Sequence, residues 1–182
     1  MKTPYKELLD ILSEISPRPK KLGIIYDPKR SKKIVETCID ASEGKGFEVH
    51  AKQVETVDEV YGAIRSLRPS IDCLLIIPDP TVYTVNSTED ILLFSLREGL
   101  PVVGISPNYV KAGALFSLSC DYTRLGEKSG ETAVRLLRGE KASDIPYASA
   151  DKYELSVNLV VANRINVTFP DKLLKEAKNV YK

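Results

Sequence analysis

The chain has 182 residues, 43% of them hydrophobic and 28% charged, with 26 Lys+Arg against 25 Asp+Glu for a formal charge of +1. That length suits one domain with an appendage, burying roughly 70% of its unfolded surface, and the balanced charge, with no basic stripe interleaved with aromatics, excludes nucleic acid as a partner. Three widely spaced cysteines, Cys38, Cys73 and Cys120, with no CxxC pair and a single histidine, His50, read as buried thiols and exclude a metal site; nothing calls for a cofactor.

The opening MKTPYKELLDILSEISPRPKK lacks an apolar run long enough for a signal-peptide core or for a membrane span of about 18 residues, so the chain reads as soluble with no export address. Tyr5, Leu8, Leu9, Leu12 and Ile15 recur at helical spacing, and Pro17 and Pro19 are expected to stop that helix. The run 21–26 reads as a first strand, followed by an Asp27-Pro28 turn and a helix from Ser31 to the glycines 44 and 46. Phe47 to Val54 alternates and suits a strand near a sheet edge. Thr56, with Glu59 three residues on, predicts a capped helix through Leu67.

Cys73 to Ile77 is an unbroken apolar run and predicts a central strand. A helix over 88–99, a strand over 101–105, a short segment through Lys111 and a strand over 114–119 follow. The helix over 123–138 carries Gly126, Gly130 and Ala133, which predict close approach to the sheet. A surface connection, an alternating strand over 153–161 and a final helix from Phe169 to Tyr181 complete the chain. Short β-branched runs alternating with amphipathic stretches predict an α/β fold: a Rossmann-like three-layer lobe with a mainly parallel sheet of about five strands and a C-terminal strand–helix extension. The expected division is 1–20 as N-terminal helix and linker, 21–140 as the lobe and 141–182 as the return.

Three polar segments each follow a strand: Pro78-Asp79-Pro80-Thr81, Ser106-Pro107-Asn108 and Cys120-Asp121-Tyr122. In an open α/β sheet these share the edge where ligands bind. Asp79 and Thr81 offer a carboxylate and a hydroxyl, although an Asp-Pro turn could serve only to reverse the chain. Ser106 and Asn108 are candidate donors to a ligand carboxylate. Gly113 allows either a left-handed turn or a close ligand approach. Asp121 is placed either to cap the following helix or to face the crevice. Tyr83 and Tyr109 are candidate aromatic walls. His50 reads as a surface residue, and the Asn86 and Asn166 triplets receive no role.

The pieces KKLGIIYDPKRS, IIPDPTV, LPVVGISPNYVKAGALFSLSCDYTRLGEKSGETAVRLLRGEKASDIP and YELSVNLVVANRINVTFPDKLLKEAKNVY resemble the substrate-binding proteins of ABC transporters, of the tryptophan/aromatic-amino-acid type. The resemblance implies a type I periplasmic-binding fold, of which this chain matches the second lobe and the carboxyl-terminal return. It also implies a non-catalytic, periplasmic or extracytoplasmic protein that binds a small polar ligand such as an amino acid, with Asp121 at the cleft and a transporter permease as partner. A lone lobe leaves apolar surface open, so a homodimer in which one copy replaces the missing jaw is expected. The alternative is a self-associating sensor or scaffold without a competent site. A phosphoacceptor receiver is disfavoured because strand one ends in a lone Asp and strand five is followed by no Lys. An enzyme is disfavoured by the absence of a nucleophile elbow, a Gly-x-Gly-x-x-Gly and a phosphate loop.

Overall fold

The computed structural model describes residues 4–15, 20–146 and 152–182. Helix α1 (Tyr5–Ile15) leads into β1 (Lys21–Tyr26), α2 (Pro28–Ser42), β2 (Glu48–Gln53), α3 (Val60–Leu67), β3 (Cys73–Leu75) and α4 (Val85–Arg97). Then come β4 (Val102–Gly104), α5 (Pro107–Ala112), β5 (Phe116–Cys120), α6 (Tyr122–Leu137), β6 (Tyr153–Asn158), α7 (Leu159–Arg164), α8 (Asp171–Glu176) and β7 (Asn179–Tyr181).

One seven-stranded sheet runs in the order β2-β1-β3-β4-β5-β6-β7. The pairs from β2 through β5 are parallel, β6 lies antiparallel to β5, and β7 is parallel to β6. β3 is buried at every position and central, as its unbroken apolar run predicts, whereas β2 is exposed at four of its six positions and forms an edge. Two apolar layers cover the sheet. The first holds α1, α2, α7 and α8 around Leu22, Ile24, Leu75 and Phe116; the second holds α3 and α4 around Ile25, Leu74, Ile76 and Val102.

Helix α1 belongs to the core. The five apolar positions at helical spacing, Tyr5, Leu8, Leu9, Leu12 and Ile15, are all buried, which contributes roughly 10 kcal/mol before the ordering cost is subtracted. The stop expected at Pro17 and Pro19 lies outside the described residues, as does part of the connection before β6. The return also joins the same body: β6 and β7 extend the sheet, and Phe169 and Leu173 enter the first core layer.

Several boundaries differ from the sequence expectation for identifiable reasons. Thr56 makes no side-chain cap; Glu59 instead accepts the Glu55 amide at 2.8 Å, and a 3-10 turn over Val57–Glu59 precedes α3. α4 starts earlier than expected because Thr84 and Ser87 form a reciprocal capping box. The strand expected over 153–161 stops at Asn158, whose side chain accepts the Val161 amide at 2.9 Å and starts α7. The last helix ends at Glu176, and Asn179–Tyr181 forms β7 rather than further helix. Finally, α6 does not approach the sheet: none of its residues is buried, and a Cβ added at Gly126 or Gly130 would meet nothing within 4 Å.

Candidate functional site

The strand order reverses between β1 and β3, and in doubly wound sheets that reversal opens a crevice at the carboxyl ends of the strands. Here a hydrogen-bonded network fills it. Asp79, only 3% exposed, accepts the Asp27 amide on Oδ2 at 2.8 Å and the Thr81 and Val82 amides on Oδ1 at 3.0 and 3.2 Å. Asp27, also buried, accepts the Lys29 amide at 2.9 Å as the cap of α2 and the Thr81 hydroxyl at 2.9 Å. Ser31 donates to the Pro78 carbonyl and the Tyr83 hydroxyl to the Ile25 carbonyl. The Lys29 amide, more than any other contact, holds the Asp27 carboxyl below its ordinary value; the Thr81 hydroxyl and the positive charges of Lys29 and Arg30 add to this against the opposing effect of burial.

The open cleft lies next to this network, where the amino ends of α4 and α5 meet. Its volume is about 530 Å³, and Tyr83, Tyr109, Val85 and Ala112 supply apolar surface while Thr84, Thr88, Glu89 and Asn108 supply polar groups. Gly104 at the end of β4 lets α5 sit close, since a Cβ there would come 2.5 Å from the Tyr109 Cβ. Burial raises the pKa of both phenols, with the Asp79 charge adding to it for Tyr83 and a hydrogen bond to the Thr88 side chain opposing it for Tyr109. Both rings are therefore neutral walls across the physiological range.

The six sequence candidates separate into distinct places. Asn108 lines the cleft. Ser106 is half-buried at the start of α5, and its side chain makes no cap hydrogen bond. Asp79 and Thr81 lie beneath the edge, with their polar atoms turned into the β1–β3 network rather than toward a ligand. Gly113, at φ 128°, ends α5 ahead of β5 and so sits toward the opposite edge; the turn accounts for it. Asp121 caps α6 by accepting the Arg124 amide at 2.9 Å and faces a separate polar recess with Thr123, Glu127 and Lys152. Tyr83 and Tyr109 do face one cleft, whereas Thr84, Thr88 and Glu89 escaped the sequence reading. The Thr84-x-x-Ser87 spacing immediately after Tyr83 was the signal that could have found them.

No group of three or more metal-ligating side chains occurs among the described residues. None of their helices is long and apolar enough to cross a membrane.

Residues 2–181 match the sequence profile of the family described as ABC transporter substrate binding protein, and the chain belongs to that family. Its members bind substrates for transport and are not enzymes; such proteins are typically extracytoplasmic. A tyrosine-binding protein of Clostridioides difficile (strain R20291) is 32% identical over 152 residues, which is 82% of this chain but 44% of the relative. A ligand-free, open structure of a substrate binding protein with adhesive properties from Clostridium difficile is 28% identical with a TM-score of 0.75, covering 96% of this chain and 58% of that one. An L-Trp complex from Streptococcus pneumonia shares the fold, with a TM-score of 0.80 at 23% identity over 97% of this chain and 60% of that one. The chain thus spans less than half the length of the curated relative and about three-fifths of these structures.

Proposed function

We propose that this chain is a ligand-contacting lobe of an extracytoplasmic ABC-transporter substrate-binding protein, that it takes an aromatic amino acid in the cleft between α4 and α5, and that a membrane permease receives the ligand. The observation that carries this reading is that two neutral phenol rings, Tyr83 and Tyr109, line one cleft together with Asn108, Thr88 and Glu89. An aromatic ligand side chain against such rings gains about 0.5–1.5 kcal/mol beyond its area burial. The names of the tyrosine-binding relative and of the tryptophan-bound fold neighbour support an aromatic ligand.

In this reading the Asn108 amide donates to the ligand carboxylate and Glu89 offers charge to its ammonium, while Ser106 begins the helix that carries Asn108 and Asp121 stays in its separate recess as the cap of α6. Asp79 and Thr81 act one layer down by fixing the loop that carries Tyr83, and Gly113 sets where α5 ends. A single lobe supplies part of an enclosure, so affinity is expected near the millimolar level, about −4 kcal/mol.

The test is a titration of the ¹⁵N-labelled chain with L-tryptophan, L-tyrosine and L-glutamate. Saturable amide shifts at Tyr83, Thr88, Asn108 and Tyr109 with the aromatic ligands, reduced in Tyr109→Ala, are expected. An absence of shifts with every ligand, or shifts confined to the amino edge of the sheet, would overturn the assignment and leave the scaffold reading.

A further inference from the structure

Helix α5 carries Asn108, Tyr109 and Ala112 into the cleft, yet it has only six residues. Helices that short do not persist in water on their own, so its neighbours decide where it lies. Gly104 lets it approach the end of β4, the Thr88 side chain on α4 hydrogen-bonds that of Tyr109, and β6 and β7 of the carboxyl-terminal return pack against it. From the return, Asn158 reaches it. This buried side chain at the end of β6 donates from Nδ2 to the Val110 carbonyl at 2.9 Å, across 48 residues of sequence. Its Oδ1 accepts the Val161 amide at 2.9 Å and starts α7. The two partners force the orientation of the Asn158 amide, because a backbone N–H can only donate and a carbonyl can only accept.

The Val110 carbonyl needs that donor. It lies in the last turn of α5, where carbonyls lose their intrahelical partners. The Ala114 amide goes to the Tyr109 carbonyl at 2.9 Å instead, and the Gly113 amide reaches Val110 at a longer 3.2 Å. Val110 is fully buried, so water does not complete its bonding. We propose that Asn158 is a positioning residue for the ligand cleft: by tying the last turn of α5 to the β6–α7 junction it fixes where Tyr109 and Asn108 stand, and so makes the return segment part of the binding site. The inference rests on the reading of that cleft as the ligand site. At about 1.5 Å per residue along the helix the anchored carbonyl is next to Tyr109 and close to Asn108, so a displacement at Val110 is passed to both.

Two variants separate the positioning of α5 from the capping of α7, because Asp, Ser and Asn cap helices about equally well. Asn158→Asp keeps the cap but turns an acceptor toward the Val110 carbonyl. Asn158→Ser keeps a cap oxygen, buries no charge and is too short to reach α5; it decides alone if the carboxylate of the first variant unfolds the chain. Both are expected to move the ¹⁵N-amide resonances of Asn108, Tyr109 and Ala112 in the ligand-free chain, and to weaken L-tryptophan binding at least about fivefold, as the loss of one buried hydrogen bond implies. Leu173→Ala controls for lost stability. It opens the first core layer, whereas Tyr109 packs with the second, so it is expected to lower the melting temperature and leave those resonances and the affinity in place. Resonances unmoved in Asn158→Ser, moved resonances with unchanged affinity, or an equal effect of Leu173→Ala would each overturn the inference while leaving the ligand reading intact. A wild-type chain that does not bind L-tryptophan would overturn the ligand reading and the role in binding with it, and the ligand-free resonances would then still decide whether Asn158 places α5.

Discussion

Replacing Asp79 by Ala distinguishes a structural carboxylate from a ligand-facing one. The substitution strands three backbone donors, the amides of Asp27, Thr81 and Val82 at 2.8, 3.0 and 3.2 Å from the carboxylate oxygens. Two of those donors belong to residues with 4% and 0% exposure, Asp27 and Val82, and water does not replace their lost bonds. The third, Thr81, is half-buried and regains part of its loss from solvent. At about 1–3 kcal/mol per stranded donor the expected loss is about 3–5 kcal/mol, a large share of the 5–15 kcal/mol typical of a domain. For a chain of this size that lowers the melting temperature by roughly 6–20 °C. Asp79→Asn keeps one oxygen for Thr81 and Val82 but turns an amide donor toward the Asp27 N–H, so about half the loss is expected. Thr81→Val deletes only the hydroxyl bond to Asp27, for about 1–2 kcal/mol. Urea unfolding followed by far-UV circular dichroism, with the slope checked for constancy, measures all three. An Asp79→Ala protein that melts within about 2 °C of wild type while losing ligand affinity would refute the network and restore the carboxylate to the ligand.

Three further outcomes are expected. Gly104→Ala drives a Cβ into the Tyr109 Cβ, so α5 must shift outward; a loss of about 1–3 kcal/mol together with changed amide shifts at Tyr109 and Asn108 is expected, and an unperturbed spectrum would count against the close packing of α5. The folded-state pKa of Asp27 is depressed below its ordinary 3.8, so its stabilisation is present above that value and is lost as pH falls through the lower folded value. The stability difference between wild type and Asp27→Asn is therefore expected to hold above pH 4 and shrink below it in melts recorded across that range. Burial pushes the Cys38 and Cys73 thiols up to about 12 and raises Cys120 as well. No thiol is expected to react with a disulfide reagent at pH 8 until denaturant releases all three.

The fold was legible where the pattern was local. Helix α1 follows from five apolar residues at i, i+3 and i+4 spacing, and β3 from a run too apolar for anything but the sheet centre. The β6–α7 junction was not legible, because Leu159, Val160 and Val161 favour strand by composition. What ends the strand there is Asn158, which caps Val161 with its carbonyl and reaches the Val110 carbonyl with its amide, a contact set by tertiary position. The site divides in the same way. Tyr83, Asn108 and Tyr109 follow strand ends and could be placed at the proper edge from topology alone. The orientation of Asp79 could not, since one of its three partners, the Asp27 amide, lies 52 residues earlier. For α6 the amphipathic pattern was readable, but spacing alone could not tell a stripe facing the sheet from one facing away.

The packing of α1 with α8 bears on how this chain matures. Glu14 and Lys172 approach to 3.9 Å across the two helices, and Leu8, Leu12, Phe169 and Leu173 share one core layer. The apolar side of the first helix therefore has no complete cover until the last residues have been made, which at about 5–20 residues per second takes on the order of 10–30 seconds. During that interval the nascent chain is a ready client for holding factors, and a carboxyl-terminal truncation ending before Phe169 should bind them persistently rather than merely fold with a lower midpoint.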